Sequence, residues 1–257
     1  MIFLLKTLEQ DSQYIRSVSL KRDHILSYDN FPLNLPTIQN LNELQFHPNV
    51  TYIIGENGMG KSTLLEGIAI ALGFNPEGGT LNFHFSSYDS HSNLDEYLRL
   101  IKGVNRPKEH FFFRAETFYN VATNIEDLDK EEPFLGPKII DSYGGKSLHE
   151  QSHGESFFAV FNERFQGNGL YILDEPEAAL SPLRQMTMLA RINELVNKGS
   201  QFIISTHSPI IMAYPNAKII QITEEGLSES KLEDTQHYSI MKQFFADKNR
   251  ILHHLFN

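Results

Sequence analysis

Gly55-Glu56-Asn57-Gly58-Met59-Gly60-Lys61-Ser62, followed by Thr63, satisfies the pattern GxxxxGK[ST] at every fixed position. Its flanks have the right character. Val50, Tyr52, Ile53 and Ile54 form a short apolar run that reads as a strand, and Leu64, Leu65, Ile68, Ala71 and Leu72 fall on one stripe of a helix that stops near Gly73. Glycines at these places let successive backbone N–H groups turn inward around phosphate oxygens, and the helix N-terminus adds positive potential. Lys61 then reaches the terminal phosphates and Ser62 takes Mg²⁺. The bland alternative is a glycine turn ahead of an ordinary helix, and the strand and helix flanks count against it. Gly55, Glu56, Asn57, Gly58, Met59, Gly60, Lys61, Ser62 and Thr63 are therefore the expected nucleotide-binding residues, with ATP and Mg²⁺ as ligands.

Further along, Leu170-Tyr171-Ile172-Leu173-Asp174-Glu175 is an apolar strand that delivers two carboxylates at its C-terminal end. Doubly wound sheets place their ligands at that end. Beside a phosphate loop, Asp174 is expected to hold Mg²⁺ and Glu175 to orient or deprotonate the attacking water. A strand ending in Asp-Glu is common on its own; the pairing with 55–63 gives it meaning.

The rest of the chain supplies the scaffold. Residues 14–20 read as a strand followed by a Pro/Asn-rich loop at 29–36, and 111–113, 202–204 and 218–222 read as further strands. Phe157, Phe158, Phe161 and Phe165 have helical spacing, Ser181-Pro182 opens another helix, and an amphipathic helix is expected over 238–256. Residues 117–151, with an acidic patch at 126–132 and glycine and proline breaks, are expected as a surface arm. The β/α alternation over 50–204 predicts a mostly parallel sheet with helices packed on it, in one domain spanning 1–257.

Composition narrows the function classes. The 257 residues carry a net charge of −10, which gives no indication of a broad nucleic-acid or anionic-membrane surface, though nucleic acid stays open as a partner. There is no cysteine, so disulfides, thiolate nucleophiles and cysteine-ligated metals are excluded. The apolar run at 1–5 stops at Lys6, too short for a signal core or a membrane span, and a cytoplasmic location is expected.

With Gln151-Ser152-His153-Gly154-Glu155 lying 19 residues before Asp174, the chain resembles the ATP-binding-cassette ATPases, which keep their LSGGQ signature there. The phrases RAETF, SHGES and LDEPEAALSP look most like small bacterial AAA/ABC-type ATPases related to SMC and RecF heads. The resemblance implies a P-loop NTPase fold of the RecA-like kind, with an N-terminal antiparallel β part and a short signature arm. It implies an ATP-dependent homodimer in which Ser152, Gly154 and Glu155 meet the γ-phosphate held by the other subunit. His153 and Glu155 depart from the common GGQ. Glu177-Ala178-Ala179-Leu180-Ser181 is similar to the family's D-loop, and His207, in Ser205-Thr206-His207-Ser208-Pro209, to its switch histidine. The region of the family's Mg²⁺-binding glutamine offers Arg114 or Glu116, with Glu116 preferred as a metal ligand. Tyr28 and Phe31 both stand where an adenine-stacking aromatic is expected.

His149-Glu150-Gln151-Ser152-His153 also matches HExxH, the helix motif of zinc proteases. That chemistry needs both histidines on one face of a continuous helix and a third ligand. Here the match overlaps the signature loop just after Gly144-Gly145, so it is read as coincidence. Within the family, SMC heads insert long coiled coils between the residues matched by Glu116 and Ser152, whereas 35 residues without heptads cannot form one. Transporter subunits use a longer helical subdomain there to grip their membrane partner. The expectation is a soluble ATP-driven dimeric switch acting on a protein effector or a nucleic-acid-processing system, ahead of a subunit bound to a membrane permease.

Overall fold

Two sheets organise the described residues (13–81, 91–131, 138–150 and 153–257) of this computed structural model. The chain runs through β1 (Ile15–Leu20), β2 (Glu43–Gln45), β3 (Val50–Gly55), α1 (Lys61–Leu72), β4 (Leu98–Lys102), β5 (Glu109–Arg114) and α2 (Phe118–Glu131). It continues with α3 (His153–Ala159), β6 (Gly169–Asp174), α4 (Pro182–Asn197), β7 (Gln201–Ser205), β8 (Lys218–Thr223), β9 (Gly226–Ser230), α5 (Gln236–Ala246) and α6 (Lys248–Phe256). β1 is the centre of a small antiparallel sheet in the order β2-β1-β4. The larger sheet has the order β5-β6-β7-β3-β8-β9 and is parallel except for the antiparallel β8/β9 pair.

The parallel strands are apolar along their length because both of their faces are covered. Every residue of β3, β6 and β7 is buried. The two-residue strand period then splits them between two cores. On one face Tyr52, Ile54, Phe113, Tyr171, Leu173 and Phe202 meet α2, α3 and α4. On the other, Ile53, Phe112, Ile172, Ile203 and Ile220 meet α1 and the antiparallel sheet. Phe157, Phe161 and Phe165 form a ladder of rings that ends on Tyr171, with Phe165 stacked at 4.2 Å. This ladder fixes α3, and the π-helical turn Val160–Arg164 that continues it, against the sheet.

One buried side chain joins the two sheets. The Gln201 carboxamide accepts from the backbone N–H groups of Tyr14 and Ile15, each at 3.0 Å, and donates to the carbonyls of Ile15 and His47, each at 2.9 Å. All four of its hydrogen-bonding capacities are thus used on backbone that would otherwise be buried without partners.

Two expectations need correction, and a third gains a strand. The segment expected as a surface arm, 117–151, contains α2, whose Phe118, Val121, Ala122 and Ile125 are buried in the first core, and among its other described residues Tyr143 and Leu148 are buried there too. Apolar residues at i, i+3, i+4 and i+7 turn one face of α2 inward and leave the acidic residues outside. The helix expected over 238–256 is two helices, because Asp247 takes a non-helical conformation and caps α6 by accepting from Arg250 N–H at 3.1 Å. The N-terminal antiparallel part needs β4, some eighty residues beyond β1, to complete it. Among the described residues no helix is long and apolar enough to cross a membrane.

Replacing Gln201 by leucine keeps the volume but strands the backbone groups of Tyr14, Ile15 and His47. The expected loss of unfolding free energy is about 3 kcal/mol, read from the urea midpoint. An unchanged midpoint would show that the antiparallel sheet is held by its apolar contacts alone.

Candidate nucleotide-binding site

β3 ends where it meets β8, with Gly55 opposite Ile222. A Cβ at Gly55 would lie 2.7 Å from the Ile222 carbonyl oxygen, so only glycine allows the chain to leave the sheet here. Gly60, with φ +91°, takes a left-handed conformation immediately before α1 and would press a Cβ to 3.0 Å from Leu35. Thr37 braces the loop by donating its hydroxyl to the Met59 carbonyl.

Lys61 opens α1 and turns back under the loop. Its ammonium donates to the Gly55 carbonyl at 2.9 Å and the Glu56 carbonyl at 3.1 Å. Burial lowers the Lys61 pKa, against the upward pull of Glu175, Asp174 and Glu177. Ser62 donates its hydroxyl to Asp174 Oδ1 at 3.1 Å, which links the start of α1 to the end of β6. Ser205, at the end of β7, donates to the same oxygen. Burial pushes the Asp174 pKa up, while the two hydroxyls and the Arg114 guanidinium pull it down.

Glu175 follows with φ +49°, a left-handed conformation uncommon for a residue with a side chain. Its N–H donates to the Ser205 carbonyl and the Ser205 hydroxyl, and its carboxylate lies 3.3 Å from His207 Nε2. The Glu177 carboxylate accepts from the His207 N–H. Lys61, Ser62, Asp174, Glu175 and His207 are therefore gathered at the C-terminal ends of β3, β6 and β7, as the parallel sheet dictates. Such strain in a short acidic turn is the kind found at functional sites.

The other expected site residues fall elsewhere. Ser152 lies outside the described residues, as does Gln151. Gly154 and Glu155 stand in the first turn of α3, where Glu155 faces Arg184 of α4 at 3.9 Å. Glu116 is not the residue turned toward Asp174: its side chain is 85% exposed, and Arg114 stands between the two. The Arg114 guanidinium directs Nη1 to Glu66 at 2.6 Å, Nε to Asp174 at 3.9 Å and Nη2 to Glu116 at 3.9 Å. Of the two aromatics, Phe31 is exposed, while Tyr28 accepts a hydrogen bond from Arg22 through its hydroxyl.

His149 lies in the 3₁₀ turn Leu148–Glu150, against Thr123 at 3.1 Å and edge-on to Tyr119. The HExxH match thus runs from that turn to the start of α3, rather than along one continuous helix.

Glu66 and His237 escaped the sequence reading, and Ser205 and Glu177 entered it only as members of motifs, with no role of their own. Ser205 could have been found by aligning the ends of neighbouring strands, since it is the register partner of Asp174. Glu177, Glu66 and His237 carry no such signal: each arrives from a separate segment by tertiary packing, with His237 Nε2 3.0 Å from His207 Nδ1.

Over residues 19–168 the chain matches the family described as AAA domain, and over residues 152–212 the one described as AAA ATPase domain. The chain belongs to this AAA-domain ATPase family, in its ATP-binding-cassette branch. It is 26% identical over 207 residues to the energy-coupling factor transporter ATP-binding protein EcfA2 of Methanospirillum hungatei JF-1, covering 76% of this chain and 51% of that protein. It is 30% identical over 158 residues to the chromosome partition protein Smc of Methanocaldococcus jannaschii, covering 52% of this chain and 13% of that protein. The chain thus spans about half or less of the length of these two relatives. In fold it is similar to the ADP conformation of an ATP-binding cassette of an ABC transporter, with a TM-score of 0.50 and 17% identity over 90% of this chain and 98% of that one.

Arg114→Met would leave the Glu66 carboxylate buried with, among the described residues, only the Ser92 N–H and hydroxyl as partners. The expected cost is about 3 kcal/mol in denaturant unfolding, and the double variant Arg114→Met/Glu66→Leu should recover much of it. A double variant no more stable than Arg114→Met would show that the pair does not explain the loss.

Proposed function

We propose that this chain binds ATP with Mg²⁺ and hydrolyses it, and that the gathering of Lys61, Ser62, Asp174, Glu175 and His207 at one end of the parallel sheet is the observation that carries this reading. Residues 55–63 would cradle the phosphates, and the Lys61 ammonium would exchange its two loop carbonyls for phosphate oxygens. The Ser62 hydroxyl and the Asp174 carboxylate, already 3.1 Å apart, are oxygen donors suited to Mg²⁺, which supplies charge neutralisation at the phosphates. Glu175 would take the water proton, and His207 would sense the γ-phosphate.

The active unit in this reading is an ATP-dependent homodimer with two-fold symmetry. Each site joins Lys61 of one chain to Ser152, Gly154 and Glu155 of the other, because a helix N-terminus directs backbone N–H groups and positive potential at an anion. Glu155 carries a like charge to phosphate, so its contribution here would be through its backbone rather than its carboxylate.

The relatives bear on the partner. EcfA2 and further relatives are by name ATP-binding proteins of transporters, which supports a membrane permease as partner more than the soluble effector expected from the sequence. The packing of α2 onto the core also weakens the case built on a free acidic arm. A tagged chain isolated from its native host with mild detergent tests this. Recovery with a polytopic membrane protein supports permease coupling, and recovery only with soluble proteins supports the effector.

Glu175→Gln is expected to keep ATP binding and lose hydrolysis by about a hundredfold or more, because the water loses its base while the phosphate contacts remain. Near-normal phosphate release would remove Glu175 from that role. Lys61→Ala should weaken ATP binding itself in calorimetry. Lys61→Ala and Ser152→Arg should each be inactive alone, yet recover activity when mixed, since a mixed dimer contains one site with both residues intact. No recovery despite verified subunit exchange would overturn the shared site.

A further inference from the structure

His207 has two ring nitrogens, and the structure gives each one neighbour. Nε2 is buried, makes no hydrogen bond, and lies 3.3 Å from Glu175 Oε1. Nδ1 lies 3.0 Å from Nε2 of His237, the second residue of α5. A bare ring lone pair facing a carboxylate oxygen at that distance would be repelled, whereas an N–H would be attracted, so the approach favours the proton on Nε2. In a neutral ring Nδ1 is then an acceptor, and the proton shared by the two histidines belongs to His237 Nε2.

The surroundings favour neutral rings. Burial lowers the His207 pKa, the nearby Lys61 ammonium lowers it further, and Glu175 acts in the opposite direction. Burial likewise lowers the His237 pKa, helped by His207 and Lys61 and opposed by Glu56. With both rings neutral at pH 7, the tautomer of His207 is set by its hydrogen bonds.

His237 is also held in place from behind. Thr235 is fully buried and caps α5: its hydroxyl donates to the Leu232 carbonyl at 2.7 Å and accepts from Tyr238 N–H at 3.3 Å. The rest of α5 contributes no buried residue. Its first turn is therefore the part fixed to the body of the protein, and that turn carries the histidine.

We propose that His237 is a positioning residue that fixes His207 in the Nε2–H tautomer and holds its ring against Glu175. The same tautomer aims a donor at the place where a γ-phosphate oxygen would sit, so the inference rests on the hydrolytic reading of Glu175 and His207. No proton is consumed in this arrangement: His237 donates to His207 and His207 to Glu175, or to phosphate when ATP is bound.

Two measurements test it. Long-range ¹H–¹⁵N correlation spectra of the nucleotide-free full chain, with assignments from His207→Gln and His237→Gln, report which nitrogen of each ring is protonated. Protonation of both at Nε2 is expected; His207 protonated at Nδ1 would overturn the proposal, whatever the protein does with ATP. In steady-state ATPase assays, His237→Phe should lower kcat about tenfold with KM little changed, the low end of what losing an orienting partner costs. His237→Gln, whose amide can donate from nearly the same point, should restore most of kcat. Unaltered kcat in His237→Phe, or a glutamine variant as slow as the phenylalanine one, would refute the positioning role. Absence of hydrolysis by the wild-type chain would instead refute the hydrolytic reading, leaving the tautomer to be judged from the spectra.

Discussion

Asp174 is a carboxylate only 5% exposed, and the arrangement around it follows from keeping it there. Isolated in a low-dielectric interior such a group is costly, so it must collect donors. The sheet register supplies an opposite charge and a donor: Arg114 at the end of β5 lies opposite Asp174 with its guanidinium 3.9 Å away, and Asp174 lies opposite Ser205 at the end of β7, whose hydroxyl donates to it. The remaining donor, the Ser62 hydroxyl, comes from the first turn of α1. β3 is carried to the required level by its own pairing with β7, in which Ile53 stands opposite Ser205. Parallel pairing thus brings four segments, spread along the chain from Ser62 to Ser205, to one oxygen-rich point.

The donors do not fully offset the burial, since the Asp174 pKa is raised overall. A raised folded-state pKa favours the protonated form in the folded protein, so the stability it contributes is present below the ordinary aspartate range and lost as pH rises through the raised value. Ionising this carboxylate in the nucleotide-free site therefore carries a cost. Glu175 in its left-handed conformation adds backbone strain of about 1–3 kcal/mol. The two-sided apolar packing of β3, β6 and β7 is what can bear these costs. A cation between Ser62 and Asp174, in the proposed reaction, would relieve the first of them.

Much of this was legible in the sequence because it depends on local pattern. Residues 50–63 and 170–175 declare a strand, a turn and their chemistry within a few positions, and the strands and the mostly parallel sheet follow from the same periodicity. The failures lie where tertiary contact decides. Spacing leaves Arg114 and Glu116 undivided, whereas the register separates their positions: β5 ends at Arg114, level with Asp174, and the following turn carries Glu116 out to solvent. The acidic composition at 126–132 concealed the apolar stripe Phe118, Val121, Ala122 and Ile125 on the helix leading into it. The ending of the chain as two helices rests on Asp247, an N-cap inside an otherwise periodic stretch. No local feature marks His237 as the neighbour of a residue thirty positions earlier.

The segments after β6 and β7 are tied to each other rather than lying side by side. Glu175 N–H reaches the Ser205 carbonyl, and the Glu177 carboxylate accepts from the His207 N–H, so the acidic turn and the histidine turn move together. Burial raises the Glu177 pKa, while its hydrogen bonds, led by the one from the His207 backbone, lower it, so displacing His207 would remove a stabilising partner from a buried acid. The 3₁₀ turn Pro176–Ala179 that carries Glu177 also packs on α3, the helix opened by the signature residues. A push on the N-terminal end of α3 therefore has a short mechanical route, through Glu177, to the ring that faces Glu175. In a dimer that places a partner's phosphates on α3, occupancy of one site would be felt at the histidine of the other through contacts already present in the single chain.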